Sequence, residues 1–374
     1  MPTIEERIAD IEAELTKTKY NKATASHFAT LRAKLSRLRS EQIENVQRAK
    51  STGSSAGFGI KKHGDATVIL LGWPSVGKST LLNAITNQES KVAAYDFTTL
   101  DAIPGMMNYT GKYAGTNIQI IDLPGIIEEA AHGKGRGRQV FSSVRNSDLI
   151  LILIDATRPY AHLDIIKNEL YVANVRINQH PRNIRILKRD RGGINVTGIN
   201  AKMEYGAEEV RNILREYRIN SADVFINDFD ASLEDVIDAV AGNRLFVPAL
   251  IAMNKVDLIP REALKEMKER IGSFVPISAE KKWNLEALKE EIANAIRLMR
   301  IYLRRPGQKA DMEEPMIIKL GSTIEDLSRK IHKRFIDDFR FASVWGRSAK
   351  YPGQKVGLDH VLEDSDVVKI VLKK

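Results

Sequence analysis

The sequence predicts an α/β fold: a mostly parallel sheet with helices on both faces, preceded by a helical hairpin, interrupted by an inserted α+β subdomain and followed by a small mixed sheet clasping one helix. Three observations carry this. Apolar runs at 67–71, 117–121, 149–154, 249–253 and 274–277 alternate with helical patterns, as parallel strands joined by crossover helices do. About 94 residues separate Asp155 from Ala249, where one strand-helix-strand unit needs roughly 30. A glycine and serine segment at 51–59 and the break Arg304-Arg305-Pro306-Gly307 set off the two ends.

Each element follows from local pattern. Ile4, Ile8, Ile11 and Leu15 recur at helical spacing behind a capping box formed by Thr3 and Glu6; Leu31, Leu35, Leu38 and Ile43 mark a second helix after a polar break at 20–26. Between Leu15 and Ser40 stand seven Lys or Arg and no Asp or Glu, a face that suits either nucleic acid or plain solvation. The insert carries Arg182, Arg185, Lys188, Arg189 and Arg191, a strand at 194–199 and helices near 208–217 and 232–241. The pattern at 287–299 predicts a helix closing the sheet domain. The tail combines a strand at 316–320, a helix at 323–335, Phe341 and Trp345 as core aromatics in preference to a base-stacking platform, and a closing alternation at 367–372. The division is therefore 1–50 hairpin, 51–64 linker, 65–175 first part of the α/β domain, 176–245 insert, 246–300 second part and 301–374 tail.

The 374 residues suffice for two or three domains at about 150 each, and 43% hydrophobic residues can fill their cores. A formal charge of +9 suits an anionic partner such as RNA, a solvated basic surface being the plainer alternative. The absence of cysteine excludes disulfides, thiolate metal sites and thiol catalysis. Neither a signal-peptide core nor a membrane-length apolar run is present, so a cytoplasmic protein without membrane association is expected.

Four motifs stand at strand ends, where ligands of such sheets bind. Gly72-Trp73-Pro74-Ser75-Val76-Gly77-Lys78-Ser79 fits G-x-x-x-x-G-K-[ST]: the loop from Gly72 through Pro74, Ser75, Val76 and Gly77 turns N–H groups onto a phosphate chain, Lys78 reaches the terminal phosphates, Ser79 ligates Mg²⁺ and Thr80 follows on the helix. Asp96-Phe97-Thr98-Thr99 is a switch segment, with Thr99 (alternatively Thr98) as metal and phosphate contact. Asp122-Leu123-Pro124-Gly125 ends the next strand, Asp122 holding Mg²⁺ through a water and the Gly125 N–H sensing the terminal phosphate. Asn254-Lys255-Val256-Asp257 selects guanine, because the Asp257 carboxylate accepts two hydrogen bonds that adenine does not offer; Asn254 ties the base site to the loop, the Lys255 stem covers the ring, and Ser278-Ala279 supplies a backbone N–H. Together they predict a guanine-nucleotide-binding domain for GTP and GDP.

The phosphate loop GWPSVGKST, the switch DFTTL and above all DLPGIIEEAAHGKGRGRQVFSSVRNSD resemble the DRG (developmentally regulated GTP-binding) branch of the Obg-related GTPases, over essentially the whole chain. The resemblance implies a P-loop GTPase domain, an insert similar to the second domain of a small-subunit ribosomal protein, a C-terminal TGS domain of ubiquitin-like β-grasp type, association with the ribosome and translation, and a regulatory partner of the DRG-family type, the chain being otherwise monomeric. Lys78, Thr99 and Gly125 would serve in-line attack of water on the terminal phosphoryl group. Where many GTPases carry a water-orienting glutamine, this chain has Ile126, so slow hydrolysis awaiting K⁺, a ribosome or a partner is expected. Some relatives hold K⁺ through a loop asparagine; the matching position is Ser75. His132 has no carboxylate in the pattern to orient it as a base, and the arginines of 133–138 suit phosphate, RNA or water. A nucleotide-stabilised RNA or ribosome scaffold is the alternative to the hydrolytic switch.

Overall fold

Continuous apolar runs are buried on both faces when helices cover a parallel sheet. The computed structural model describes residues 3–18, 24–51, 64–86, 103–111, 113, 115–123, 144–160, 162–304, 312 and 315–373. In chain order these form α1 (Ile4–Lys17), α2 (Ala25–Ser51), β1 (Ala66–Gly72), α3 (Lys78–Ile85), β2 (Ile103–Tyr109), β3 (Thr116–Asp122), β4 (Leu149–Asp155), α4 (Leu163–Val172), β5 (Val175–Ile177), β6 (Ile184–Lys188), β7 (Ile194–Thr197) and α5 (Ala207–Glu216). There follow β8 (Ala222–Ile226), α6 (Leu233–Ala241), β9 (Leu245–Val247), β10 (Ala249–Asn254), α7 (Arg261–Ile271), β11 (Val275–Pro276), α8 (Leu285–Ile296), β12 (Leu298–Leu303), β13 (Met316–Lys319), α9 (Ile324–Ile331), α10 (Arg334–Asp337), β14 (Phe339–Trp345), β15 (Gln354–Val356) and β16 (Asp366–Leu372).

The chain groups into two compact units, one taking the N-terminal helices with 167–247, the other taking 64–123, 146–166 and 248–373. The sequence division had kept hairpin and insert apart. They come together because α2 is apolar on two sides: Leu31, Leu35 and Leu38 pack on α1, while Ala29 and Ala33 enter the core of the insert beside Val210, Ile213 and Val236. Alanine's small side chain is what lets α2 lie close against α5. The predicted capping box forms, with Thr3 N–H donating to Glu6 at 2.7 Å and Glu6 N–H to Thr3 at 3.2 Å.

This packing commits three residues of the basic run to partners within the unit. Arg37 donates to the Glu216 carbonyl at 2.8 Å and pairs with its carboxylate at 3.1 Å, Arg32 pairs with Glu234 at 2.9 Å, and Arg39 with Glu12 at 2.7 Å. These arginines hold the unit together. Within the insert, β6-β8-β7 form a sheet; β6 lies inside the basic stretch, where Ile184 and Ile186 alternate with Arg185 and Leu187, a period-2 pattern masked by its charge. Arg176 and Arg244 both engage Asp238, the former at 2.7 and 2.9 Å.

The second unit contains two sheets. The larger runs β11-β10-β4-β1-β3-β2, parallel throughout except for the antiparallel edge strand β2. All five parallel strands finish on the same side, which gathers their carboxyl ends into one crevice. Two boundaries depart from expectation. The helix expected at 287–299 ends at Ile296; Arg297 turns left-handed (φ 56°) and β12 begins at once, placing Met299 in a strand. The helix expected at 323–335 breaks at His332, whose backbone is extended. Both apolar runs fit either period over so short a span, and tertiary packing decides.

The smaller sheet runs β13-β12-β16-β14-β15 and buries Met299, Ile301, Ile318, Ala342, Val344 and Val368 beneath α9. It adjoins the larger sheet directly: Leu298 and Ile317 belong to the same apolar core as β1, β3 and β4. Phe341 and Trp345, expected in the core, instead occupy the outward face of β14 and are half-buried, because their positions alternate with the core-facing Ala342 and Val344.

Candidate nucleotide site

β1 delivers the phosphate loop. Ser75 (φ 61°) and Gly77 (φ 94°) are both left-handed, the backbone alternation that points successive N–H groups into one concavity. Gly77 immediately precedes α3, whose N-terminus faces the same space. Only glycine fits there, since a Cβ at Gly77 would stand 2.5 Å from the Asn254 amide nitrogen. Lys78 is half-buried and its ammonium donates to the carbonyls of Gly72 at 3.1 Å and Trp73 at 3.3 Å, curling over the loop it is to serve. Ser79 and Thr80 are exposed on the first turn of α3, and Pro74 and Val76 lie in the loop itself.

β3 ends in Asp122, 1% exposed, followed by buried Leu123. One Asp122 oxygen is buried without a hydrogen-bond partner among the described residues. Burial pushes this carboxyl above its ordinary value, with the Lys78 ammonium and the Leu123 N–H pulling the other way. A carboxylate oxygen with no partner among the described residues is an incomplete set of hard ligands. That fits Mg²⁺, which takes one or two protein oxygens and completes its shell with water and substrate phosphate; among the described residues no cluster of three acidic or histidine side chains offers a fuller cage. Asp96, Phe97, Thr98, Thr99, Pro124, Gly125 and Ile126 lie outside the described residues, as do His132 and the run 133–138.

β10 and β11 bring the residues predicted to read the base to the same end of the sheet. Asn254, 3% exposed, donates its amide to the Val76 carbonyl at 2.8 Å and accepts from the Ala279 N–H at 2.9 Å. One side chain thus ties the phosphate loop to Ser278-Ala279. Hydrogen bonds from Ser278 and Lys281 hold Asp257 below the usual carboxylate range, the Lys281 ammonium lying 3.1 Å away, so it is ionised and can accept from two donors at once.

Two contributors carry no motif. Asp155, at the end of β4, binds the Lys255 ammonium at 2.6 Å while its other oxygen accepts from the Thr157 N–H and hydroxyl at 2.9 and 2.7 Å. Lys255, left-handed at φ 63°, also donates to the Ser75 carbonyl at 2.8 Å. The Lys255 stem is therefore anchored at its tip between loop and strand. Asp155 is signalled in the sequence only as the polar residue ending an apolar run. Trp73 stacks on His162 with centroids 4.2 Å apart, pinning the phosphate loop to the segment after β4; nothing in the spacing announces that pair.

A glycine phosphate loop, a buried strand-end aspartate and an ionised carboxylate after β10, all on one parallel sheet, mark a P-loop GTPase domain, a guanine-nucleotide-binding protein. The family described as 50S ribosome-binding GTPase matches residues 67–189, the C-terminal region of that domain matches 191–298, and the TGS domain matches 299–372. The chain is 46% identical to a GTP-binding protein of Methanocaldococcus jannaschii over 99% of its own length and 93% of that protein's. It is 46% identical to Developmentally-regulated GTP-binding protein 1 of Xenopus laevis over 98% of each chain, and 41% identical to Ribosome-interacting GTPase 1 of Saccharomyces cerevisiae over 100% of each. The chain belongs to the developmentally regulated GTP-binding (DRG) family of Obg-related GTPases, and its C-terminal sheet is a TGS domain.

Proposed function

We propose that this protein hydrolyses GTP to GDP and phosphate slowly and uses the cycle as a ribosome-associated switch in translation. The observation that carries the nucleotide reading is Asn254, which joins the phosphate loop to the base pocket in one hydrogen-bonded unit beside an ionised Asp257. GTP binds with its phosphates against the loop N–H groups and the N-terminus of α3. The Lys78 ammonium leaves the carbonyls of Gly72 and Trp73 for the terminal phosphates, where it offsets charge that grows as water attacks in line. Ser79, Thr99 and, through a water, Asp122 would hold Mg²⁺, which when bound would offset the negative charge of the phosphate chain. The Gly125 N–H would report the terminal phosphate to the switch segments Asp96 to Thr99 and Asp122 to Ile126.

Ile126 cannot orient water, so the chain supplies transition-state charge but no water-positioning group at that place. Turnover therefore waits on K⁺, a ribosome surface or a regulatory protein of the DRG-family type. The ribosomal part is supported by the net charge of +9 and by kinship with a yeast GTPase named for interacting with ribosomes; among the described residues no helix is long and apolar enough to cross a membrane, consistent with a cytoplasmic setting. The test is ribosome co-sedimentation with GDP, a non-hydrolysable GTP analogue and no nucleotide, alongside GTPase assays in Na⁺ and K⁺. Nucleotide-dependent pelleting and stimulated turnover are expected. Equal pelleting in all three states would leave a scaffold in which hydrolysis is not the functional step.

A further inference from the structure

The carboxylate proposed to read guanine is already shared. Asp257 sits in the short helical turn Val256–Leu258, and the Val256 N–H donates to the Ile277 carbonyl at 3.3 Å, which fixes that turn beside the end of β11. Two donors reach the carboxylate from one loop: the Ser278 hydroxyl, and the Lys281 ammonium 3.1 Å from Oδ2. The loop is a rigid frame. Ser278 is 1% exposed and exchanges two backbone hydrogen bonds with Trp283, at 3.2 and 2.9 Å. Its hydroxyl oxygen accepts the Lys281 N–H at 3.2 Å, the Asn284 amide donates to the Pro276 carbonyl at 2.8 Å, and Lys282 and Asn284 turn left-handed (φ 51° and 60°). Ser278 therefore cannot leave Asp257 without opening the loop. Lys281 can: its backbone is held while its side chain is 64% exposed, against 17% for Asp257, so a flexible four-carbon stem carries the ammonium on or off the carboxylate without disturbing the fold.

An ionised carboxylate has about four acceptor positions. Ser278 and Lys281 take two, and the ring N–H and exocyclic amine of guanine call for two more, one on each oxygen. A neutral hydroxyl leaves the charge of the carboxylate intact for those donors. An ammonium does not, because it offsets the charge of the oxygen it touches and sets positive charge where the positively polarised edge of guanine has to arrive. Lys255, the lysine of the Asn254-Lys255-Val256-Asp257 motif itself, is committed elsewhere, to Asp155 at 2.6 Å and the Ser75 carbonyl at 2.8 Å. Exposed lysine–carboxylate pairs are weak, so the base displaces the ammonium rather than being shut out by it.

We infer that Lys281 is a built-in competitor for guanine, an ammonium that takes Asp257 in exchange with the base and so limits how tightly guanine nucleotides are held. The inference rests on the reading of Asp257 as the base acceptor and deepens it by naming a residue, outside the four strand-end motifs, that sets the strength of base selection. In the sequence Lys281 is only the first of two adjacent lysines after Ser278-Ala279-Glu280.

The full chain is titrated calorimetrically with GDP and with ADP, each with Mg²⁺, in low-salt buffer and in NaCl at about 1 M, where charges are screened within about 3 Å. At low salt Lys281→Gln should bind GDP about two- to fivefold tighter than the wild type and ADP no differently, since adenine offers Asp257 no pair of donors. Lys281→Arg, which keeps the charge, should bind GDP no tighter than the wild type, and the advantage of Lys281→Gln should shrink at high salt. Equal or weaker GDP binding by Lys281→Gln, an equal gain for ADP, a gain that salt leaves untouched, or the same gain in Lys281→Arg would each overturn the inference. Asp257→Asn separates it from the reading beneath: undiminished GDP affinity in that variant sinks the base assignment, whereas lost affinity there with no gain in Lys281→Gln sinks the competitor alone.

Discussion

The two ends of the six-stranded sheet are built to opposite standards. Where the strands finish, polar groups are left incompletely met: Asp122 keeps a buried oxygen without a partner among the described residues, and the Lys78 ammonium rests on the carbonyls of its own loop. Where they begin, carboxylates are saturated. Asp65 accepts from the Asn117 N–H at 2.9 Å and the Lys330 ammonium at 2.6 Å, and Asp148 accepts from the Thr67 N–H at 2.8 Å and from Lys319. One end holds electrostatic demand for a ligand, at some cost to the free protein. The other meets its demand internally and fastens the TGS domain to β1, β3 and β4.

The sharpest test of that contrast is Lys78→Ala, which removes the cation proposed to serve the terminal phosphates. Phosphate release should fall at least about a hundredfold, the scale of losing one transition-state charge contact. Unchanged turnover would show that the ligand end is not where the charge is met.

Asp122→Asn should act in two opposed directions. Because burial raises this carboxyl above 3.8, the folded state binds more protons than the unfolded one just above that pH, and stability falls as pH rises through the window toward the raised value. The asparagine removes that slope and raises the melting temperature of the nucleotide-free protein, while Mg²⁺-dependent GTP affinity drops by about tenfold, the scale of a lost charged hydrogen bond. Calorimetry across pH and nucleotide titration read the two effects; a lower melting temperature without nucleotide would contradict the assignment.

Asp155→Ala frees the Lys255 tip from β4. Stopped-flow displacement of a fluorescent GDP should show dissociation faster by about three- to tenfold, as expected for a partly solvated ion pair, with Asp155→Asn intermediate. An unchanged rate would mean that the Ser75 carbonyl suffices to place the lysine.

Lys330→Ala, at the saturated end, should do least. The pair with Asp65 is partly exposed, so its loss costs at most about 1 kcal/mol and shifts melting by a few degrees without touching GDP affinity. A loss of nucleotide binding here would erase the distinction between the two ends.

Legibility in the sequence followed the range of the interactions. The phosphate loop is a local device: its glycines, lysine and serine act within one turn of chain, so spacing alone announces it. The α/β class was equally plain, because strands such as β1 and β4 are apolar throughout. Short segments were harder. The residues after Ile296 read as more helix until Arg297 turned the chain and β16 offered β12 a partner, and β6 was hidden by the basic stretch around it, with Arg185 between its two isoleucines. The roles of Asp155 and His162 could not be read locally, since each acts through a partner about 90 to 100 positions away, Lys255 and Trp73 respectively.

The sequence by itself determined that a guanine nucleotide is bound at strand ends, because phosphate and base recognition reside in contiguous residues whose chemistry needs no distant help. Tertiary structure decided which charges are free to act. It turned the arginines of α2 onto Glu216, Glu234 and Glu12 and spent Lys319 and Lys330 on the base of the sheet. It also turned Phe341 and Trp345 to the outward face of β14, opposite the core-facing Ala342 and Val344. Whether a cation or an aromatic ring is committed or available depends on which residues the fold brings within a few ångströms of it, and no local pattern contains that distance.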